Sequence, residues 1–489
     1  MIAKKTNKMR HDDSLARKVI RDDETKGLSV AKVLKFMAMC ILLLTIVSII
    51  FPKEGIAIGE QRLRFAKPSK VLTAHHRESV ETPKPRLTVS EREALTDSLE
   101  ICRSMALEGP SRLWLPNDDE RFFDSFFSRA EDASQNGSTL RVLYYGDSQI
   151  EMDRITCCVR DRLQSLFGGG GVGMLQLNQQ VASLTVTQTA SGRMTGLSAY
   201  GGKPMQRSDG NYGPMLRCWH IDGAATASFK ATHNKAASNR VKHFGKVRML
   251  FNNRPGPLAV EMVDNYGNRF SRSVSAPGVQ QLEWILDSAA TAIDVRLNGN
   301  ADIYGVVLDY GCGVALDNVA MRGVSGTQFR MVDSLQLSKS YDLLNVGLIV
   351  LQFGGNVVPY LKNEAAIEHY CSRLVEQFGY LRSVCPGVKL LFVGPSDMST
   401  RIDGEFVTYP LLPKLVERLR TTALSNGVAY WSLYDAMGGS GSMVEWVRNG
   451  NASKDYVHYS VKGSMIMGNM LGDAFENMYK LYGLKRRGV

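Results

Sequence analysis

Cysteine is scarce and irregularly spaced. The 489 residues hold eight cysteines, with no Cys-x-x-Cys pair among them. That excludes a zinc-ribbon pattern and a small disulfide scaffold, and leaves one or two disulfides open. Cys157-Cys158 falls in an expected helix, where a thiol is a packing group. No zinc or calcium motif and no cofactor motif is present. The glycine run Gly168–Gly173 lacks the Gly-Lys-Ser/Thr that a phosphate loop needs. His75-His76 lies in an expected tether, so no metal ligand set is assigned. Charge of one sign is also missing from most of the chain. The net charge is +11, but +5 of it sits in residues 1–35 and +4 in residues 53–87. The remainder is nearly neutral, which argues against a nucleic-acid partner.

Long apolar runs are absent but for one. Phe36 to Phe51 is uncharged over sixteen residues. With Val33 and Leu34 added and Lys32 and Lys35 snorkelling, it reaches about the minimum length for a span. No Ala-x-Ala site follows it, and a long basic segment precedes it. The expectation is an uncleaved signal anchor: a cytoplasmic basic head at 1–35, a transmembrane helix at 36–52 and a tether at 53–88 with Pro68, Pro83 and Pro85.

The rest is long enough for two or three domains. Residues 89–137 read as helical, with apolar residues recurring through Phe122, Phe126 and Phe127. A strand ending in Gly146-Asp147-Ser148 and a helix follow. From about 181 to 305 the texture becomes short alternating runs separated by turns such as Asp209-Gly210-Asn211 and Asn265-Tyr266-Gly267-Asn268, which suggests an all-β sandwich. From 306 onward apolar strands (347–353, 388–393, 428–433) alternate with helices near 363–383, 411–425 and 461–481. The chain is therefore expected to be α/β, a doubly wound parallel sheet interrupted by an inserted all-β sandwich.

The chemistry concentrates at strand ends. Ser148 stands at the end of an apolar strand. Near the C-terminus comes Asp455-Tyr456-Val457-His458. Serine becomes a nucleophile when a histidine takes its proton, and a carboxylate on the other ring nitrogen makes that histidine effective. Asn356 follows another strand through Gly354-Gly355. Its amide, with the N–H groups of Ser148 and of Gly323, would form an oxyanion hole. Gly323 is expected to follow a strand at Val306–Asp309. On the insert, Tyr200, Tyr212, Trp219, His220 and Asn234 are candidates for a sugar groove.

These blocks resemble the SGNH (GDSL-type) hydrolases, which contribute Ser, Gly, Asn and His in chain order, here Ser148, Gly323, Asn356 and His458, with Asp455 as the acid. A β-domain between the first two blocks is similar to that of bacterial peptidoglycan O-acetylesterases. The resemblance covers about 138–485 and splits the hydrolase domain into 138–180 and 306–489 around the insert at 181–305. Gln149 and Val357 depart from the usual Leu and Asp. The resemblance implies a serine esterase with no cofactor, acting on an O-acetylated glycan, peptidoglycan first. With the expected anchor at 36–52, the chain is expected to be a bacterial cell-envelope protein, single-pass in the inner membrane with a periplasmic catalytic domain. An O-acetyltransferase with the same triad and a non-catalytic glycan-binding protein are the alternatives.

Overall fold

The computed structural model describes residues 30–50, 56–58, 61–63, 89–232 and 238–487. The expected basic head and tether lie mostly outside the described residues, as do His75, His76 and Asn234. The chain divides into two units, Met1–Leu87 and Thr88–Val489. The first contains a 21-residue helix, α1 (Val30–Ile50), and a two-stranded antiparallel ribbon, Ile56–Ile58 with Gln61–Leu63. Leu34, Phe36, Met37, Leu42, Leu43 and Leu44 on α1 are exposed. Among the described residues no helix is long and apolar enough to cross a membrane. The transmembrane helix expected at 36–52 is thus not shown, and Phe51 and Pro52 lie outside the described residues.

In chain order the strands of the second unit are β1 (Thr139–Gly146), β2 (Gly173–Leu175), β3 (Val186–Ser198), β4 (Arg217–Ala231), β5 (Phe244–Asn253), β6 (Leu258–Asp264), β7 (Arg269–Val274), β8 (Gly278–Ala290), β9 (Ala292–Asp309), β10 (Gly313–Ala320), β11 (Val346–Gln352), β12 (Lys389–Gly394), β13 (Ser399–Ile402), β14 (Glu405–Thr408) and β15 (Ala429–Ser432). Its main helices are α2 (Val89–Leu107), α3 (Asp124–Gln135), α4 (Thr156–Phe167), α5 (Ser334–Leu344), α6 (Glu364–Val384), α7 (Leu412–Ser425) and α8 (Val461–Arg486).

Five strands form a wholly parallel sheet in the order β10-β1-β11-β12-β15. Both faces are covered by helices, which is why these strands are mostly apolar rather than alternating, with Arg141, Asp317 and Asn318 among the exceptions. Leu140, Val142 and Tyr144 of β1 join one apolar cluster with α2, α3, α4 and α8, while Leu143 and Tyr145 join the other with α5, α6 and α7. The helical region 89–137 therefore completes a layer of this domain. Phe123 and Phe127 meet Phe475 and Tyr479 of α8 edge-on. Trp114 exchanges backbone hydrogen bonds with Tyr430, at 2.8 and 2.9 Å, on the edge strand β15.

Strands β2 to β9 make one antiparallel hydrogen-bonded sheet. This differs from the two separate sheets of the expected sandwich. The 18-residue β9 is shared: its first part pairs with β4 and β6, its last part with β5 and β2. A register shift between Ile303 and Gly305 divides the two parts. Inward residues of both halves belong to a single apolar cluster. The insert also reaches further than 181–305, from Gly173 to Asp309.

Arg141 on β1 is fully buried and pairs with Asp317 on β10 and with Asp309 at the end of β9; Arg248 on β5 also pairs with Asp309. A buried charge requires such partners. This network joins the parallel sheet to the inserted one.

Candidate active site

The parallel strands, numbered along the chain, stand in the order 2-1-3-4-5, and this order reverses between β1 and β11. In open parallel sheets, crevices form beyond strand C-termini at such a reversal. Ser148 leaves the end of β1 and Asn356 the end of β11, so both open onto it. Asp147 caps the segment after β1, accepting the Gln149 N–H at 3.0 Å. Gly354, at φ 118°, makes the turn after β11 that a side chain would strain.

His458 arrives from the loop before α8. Ser460 caps that helix by accepting the Gly463 N–H at 3.2 Å, which fixes the loop two residues past the histidine. The Asp455 carboxylate closes the loop by accepting the N–H groups of Val457 and His458 at 2.9 and 3.0 Å, with Tyr456 in a left-handed conformation between them. Its other oxygen accepts from His458 Nδ1 at 2.8 Å. His458 Nε2 then lies 2.8 Å from Ser148 Oγ. With Nδ1–H donating to Asp455, Nε2 is free to accept the serine proton. Burial alone would raise the Asp455 carboxyl. The two N–H groups and the His458 ring outweigh it and hold the carboxyl below its usual range.

Ser148, Asn356 and His458 line a cavity of about 170 Å³ with Gln352, Tyr360 and Met398. Ser148, Gly323, Asn356 and His458 line an adjoining opening with Arg154 and Arg322. All five residues expected at the site are thus brought together. Two details differ from expectation. The strand leading to Gly323 is β10, not Val306–Asp309, which belongs to β9. The Asn356 amide donates to Val324 O at 3.0 Å and to Asp147 Oδ2 at 3.3 Å, so both its hydrogens are engaged. Asp147 is buried beside it. Burial pushes its carboxyl up to about 6, against the Gln149 N–H and His458, which lower it.

Sequence reasoning missed Gln149 and Arg154 as site residues. Gln149 donates to Val457 O at 2.7 Å and accepts from Tyr459 N at 3.2 Å, which ties the serine loop to both neighbours of His458. Its departure from the usual Leu was the available signal. Arg154 donates to Ser148 O at 2.8 Å and to Tyr459 O at 3.2 Å. Of the sugar-groove candidates, Tyr200 lines a larger cavity near the site. Tyr212 and Trp219 are buried in apolar clusters. His220 lies in a separate hollow, bonded to Asp302. All eight cysteines are free thiols.

The fold is SGNH-hydrolase-like: a flavodoxin-like parallel sheet with Ser148, Gly323, Asn356 and His458 in that chain order. A solved structure of a peptidoglycan O-acetylesterase superposes with a TM-score of 0.59 at 21% identity, over 72% of this chain and 95% of that one. A family 2 carbohydrate esterase from Corynascus thermopiles (Myceliophthora fergusii) covers 58% of this chain and 99% of its own at 10% identity, with a TM-score of only 0.25. No protein-family model matches the chain, and no curated protein matches it in sequence.

Proposed function

We propose that the protein is a serine esterase that removes O-acetyl groups from an envelope glycan, peptidoglycan first. The observation that carries the reading is the unbroken hydrogen-bonded chain from Asp455 through His458 to Ser148 at the reversal of strand order. In this reading His458 Nε2 takes the Ser148 proton as Oγ attacks the acetyl carbonyl. Asp455 holds the imidazolium that forms, and the N–H groups of Ser148 and Gly323 face the oxyanion, joined by the Asn356 amide once it turns from Val324 O. His458 returns the proton to the leaving sugar hydroxyl. Water, activated in the same way, then releases acetate. The solved peptidoglycan O-acetylesterase of like fold supports the choice of substrate.

The proposal includes attachment to the inner membrane through the apolar segment 36–52, with the catalytic domain in the periplasm. The exposed apolar side chains of α1 support it. Recovery of the intact N-terminus in the membrane fraction tests it.

The deciding experiment measures acetate released from O-acetylated peptidoglycan. Ser148→Ala should remove on the order of 10⁴ or more of kcat while leaving the fold intact. A variant that keeps a tenth of the activity overturns the reading. Acetyl recovered on a glycan acceptor instead of as acetate assigns the transferase reaction.

A further inference from the structure

A second cavity, of about 460 Å³, lies between the loop after β1 and the inserted sheet. Glu151, Met152, Val181 and Arg322 line both it and the opening onto Ser148 and His458. The two hollows therefore form one groove that starts at the nucleophile and runs onto the insert.

The charges along this groove are not balanced. Four arginines of the second unit are at least nine-tenths buried: Arg141, Arg160, Arg217 and Arg248. Arg141, Arg160 and Arg248 each meet a buried aspartate. Arg217, on β4 in the wall of the larger cavity, is 7% exposed and has no carboxylate partner among the described residues. Its Nη1 donates to the neutral Gln180 Oε1 at 3.0 Å, and its Nε has no acceptor. Burying a guanidinium without an anion is unfavourable. Glu151, the carboxylate in the groove lining, does not offset this arrangement, because Arg322 already holds it at 2.6 and 2.8 Å. Nearer the serine, Arg154 donates only to backbone carbonyls. The groove thus holds a net positive potential and one buried cation that lacks its counter-ion.

We propose that the missing anion comes from the substrate: the groove takes an acidic glycan, and Arg217 is the specificity residue that binds a carboxylate on it while the O-acetyl group sits at Ser148. This rests on the esterase reading above. A guanidinium presents a planar fork of donors suited to a carboxylate, and a site with an unpaired buried donor discriminates against analogues that leave it unpaired. The inserted sheet then sets which acetylated glycans the parallel-sheet domain processes.

The test compares two probes, a disaccharide of N-acetylglucosamine and 6-O-acetylmuramic acid with its lactyl carboxylate free, and the same disaccharide with that carboxylate methyl-esterified. The readout is the ratio of kcat/KM on the acid to that on the methyl ester. The wild type should favour the acid by about tenfold or more. Arg217→Gln should bring the ratio to within about twofold of one, and Arg217→Lys should retain most of the preference. Gln180→Glu is a second variant, at an exposed position, that supplies an internal carboxylate to Arg217; it should lower the ratio in the same way. A wild-type ratio near one overturns the proposal, and so do variants that keep the wild-type ratio. If the wild type releases acetate from neither probe, the esterase reading fails by itself. Calorimetric binding of the deacetylated acid then decides the carboxylate site: saturable binding lost in Gln180→Glu upholds it, and no binding overturns it.

Discussion

Replacing Asp455 by asparagine should damage turnover more than replacing it by alanine. Asp455 serves two sets of donors. One oxygen accepts the N–H groups of Val457 and His458 at 2.9 and 3.0 Å, and the other accepts His458 Nδ1 at 2.8 Å. Asparagine has a single oxygen. If that oxygen stays on the backbone, the NH₂ faces Nδ1 and drives the ring proton to Nε2, the atom that must accept from Ser148. If the amide flips, the NH₂ confronts two N–H donors. An unsatisfied buried donor costs about 1–3 kcal/mol. The Asp455 side chain is 49% exposed, so water relieves part of this and the flip costs about 2 kcal/mol in all. That leaves roughly one molecule in thirty competent, since 1.4 kcal/mol is tenfold. Losing the carboxylate charge beside the forming imidazolium adds about 2 kcal/mol, midway between the bulk-water and near-surface limits, or another thirtyfold. Asp455→Asn should therefore lose about 10³ in kcat. Alanine incurs only the charge term and some disorder of the ring, because water can satisfy the backbone donors. Asp455→Ala should lose about 10². Steady-state acetate release, with circular dichroism to verify folding, measures both. An asparagine variant as active as the alanine variant would refute the assignment of both tautomer and acid.

Three further outcomes are expected. Asn356→Ala should lower kcat by about 10²–10³ with little change in KM, as for loss of an oxyanion donor; if it only clamps Asp147, kcat will stay within tenfold and the melting temperature will fall instead. Arg141→Met strands Asp317 in the interior and leaves Asp309 with Arg248 alone, and should destabilise the protein by about 3–5 kcal/mol in urea unfolding; a loss under about 1 kcal/mol would remove the network from any structural role. The Asp147 carboxyl, raised from 3.8 to about 6 in the folded state, holds its proton more tightly folded than unfolded. Ionising it therefore lowers stability as pH rises between these values, and below them this penalty is absent. Asp147→Asn removes the penalty, so its stability relative to wild type should improve by on the order of 3 kcal/mol between about pH 4 and pH 7; parallel pH profiles for the two proteins would contradict this.

The parts of the site that could be read from sequence are those set by short-range chemistry. The β1 strand ends in a Gly-Asp turn that presents Ser148. Asp455 and His458 sit three positions apart in a loop that the aspartate itself closes. Strands buried on both faces read as apolar runs, so β1, β11, β12 and β15 were visible. The β10 strand was not, because Asp317 and Asn318 interrupt it. Asp317 is tolerable there only because Arg141 lies on the adjacent strand, 176 residues earlier in the chain. For the same reason nothing local to Arg141, inside its apolar run, marks it as half of an ion pair. The insert was recognised by its alternation but given wrong limits. Gly305 and its register shift make the end of β9 resemble a new strand, and β2 is only three residues long.

What brings Ser148, Asn356 and His458 together is the order of the strands, and local pattern does not encode order. Had β11 been placed at an edge, Asn356 would have opened away from Ser148, with every local motif unchanged. The β1–β11 pairing, in register from Leu143 with Ile349 to Gly146 with Gln352, ends both strands at the same height. The two following loops then leave the sheet side by side. Gln149 closes the remaining gap across 310 residues to Tyr459. A leucine there has no group to offer the Tyr459 N–H or the Val457 carbonyl. The departure from the usual motif is thus part of how this chain positions its histidine.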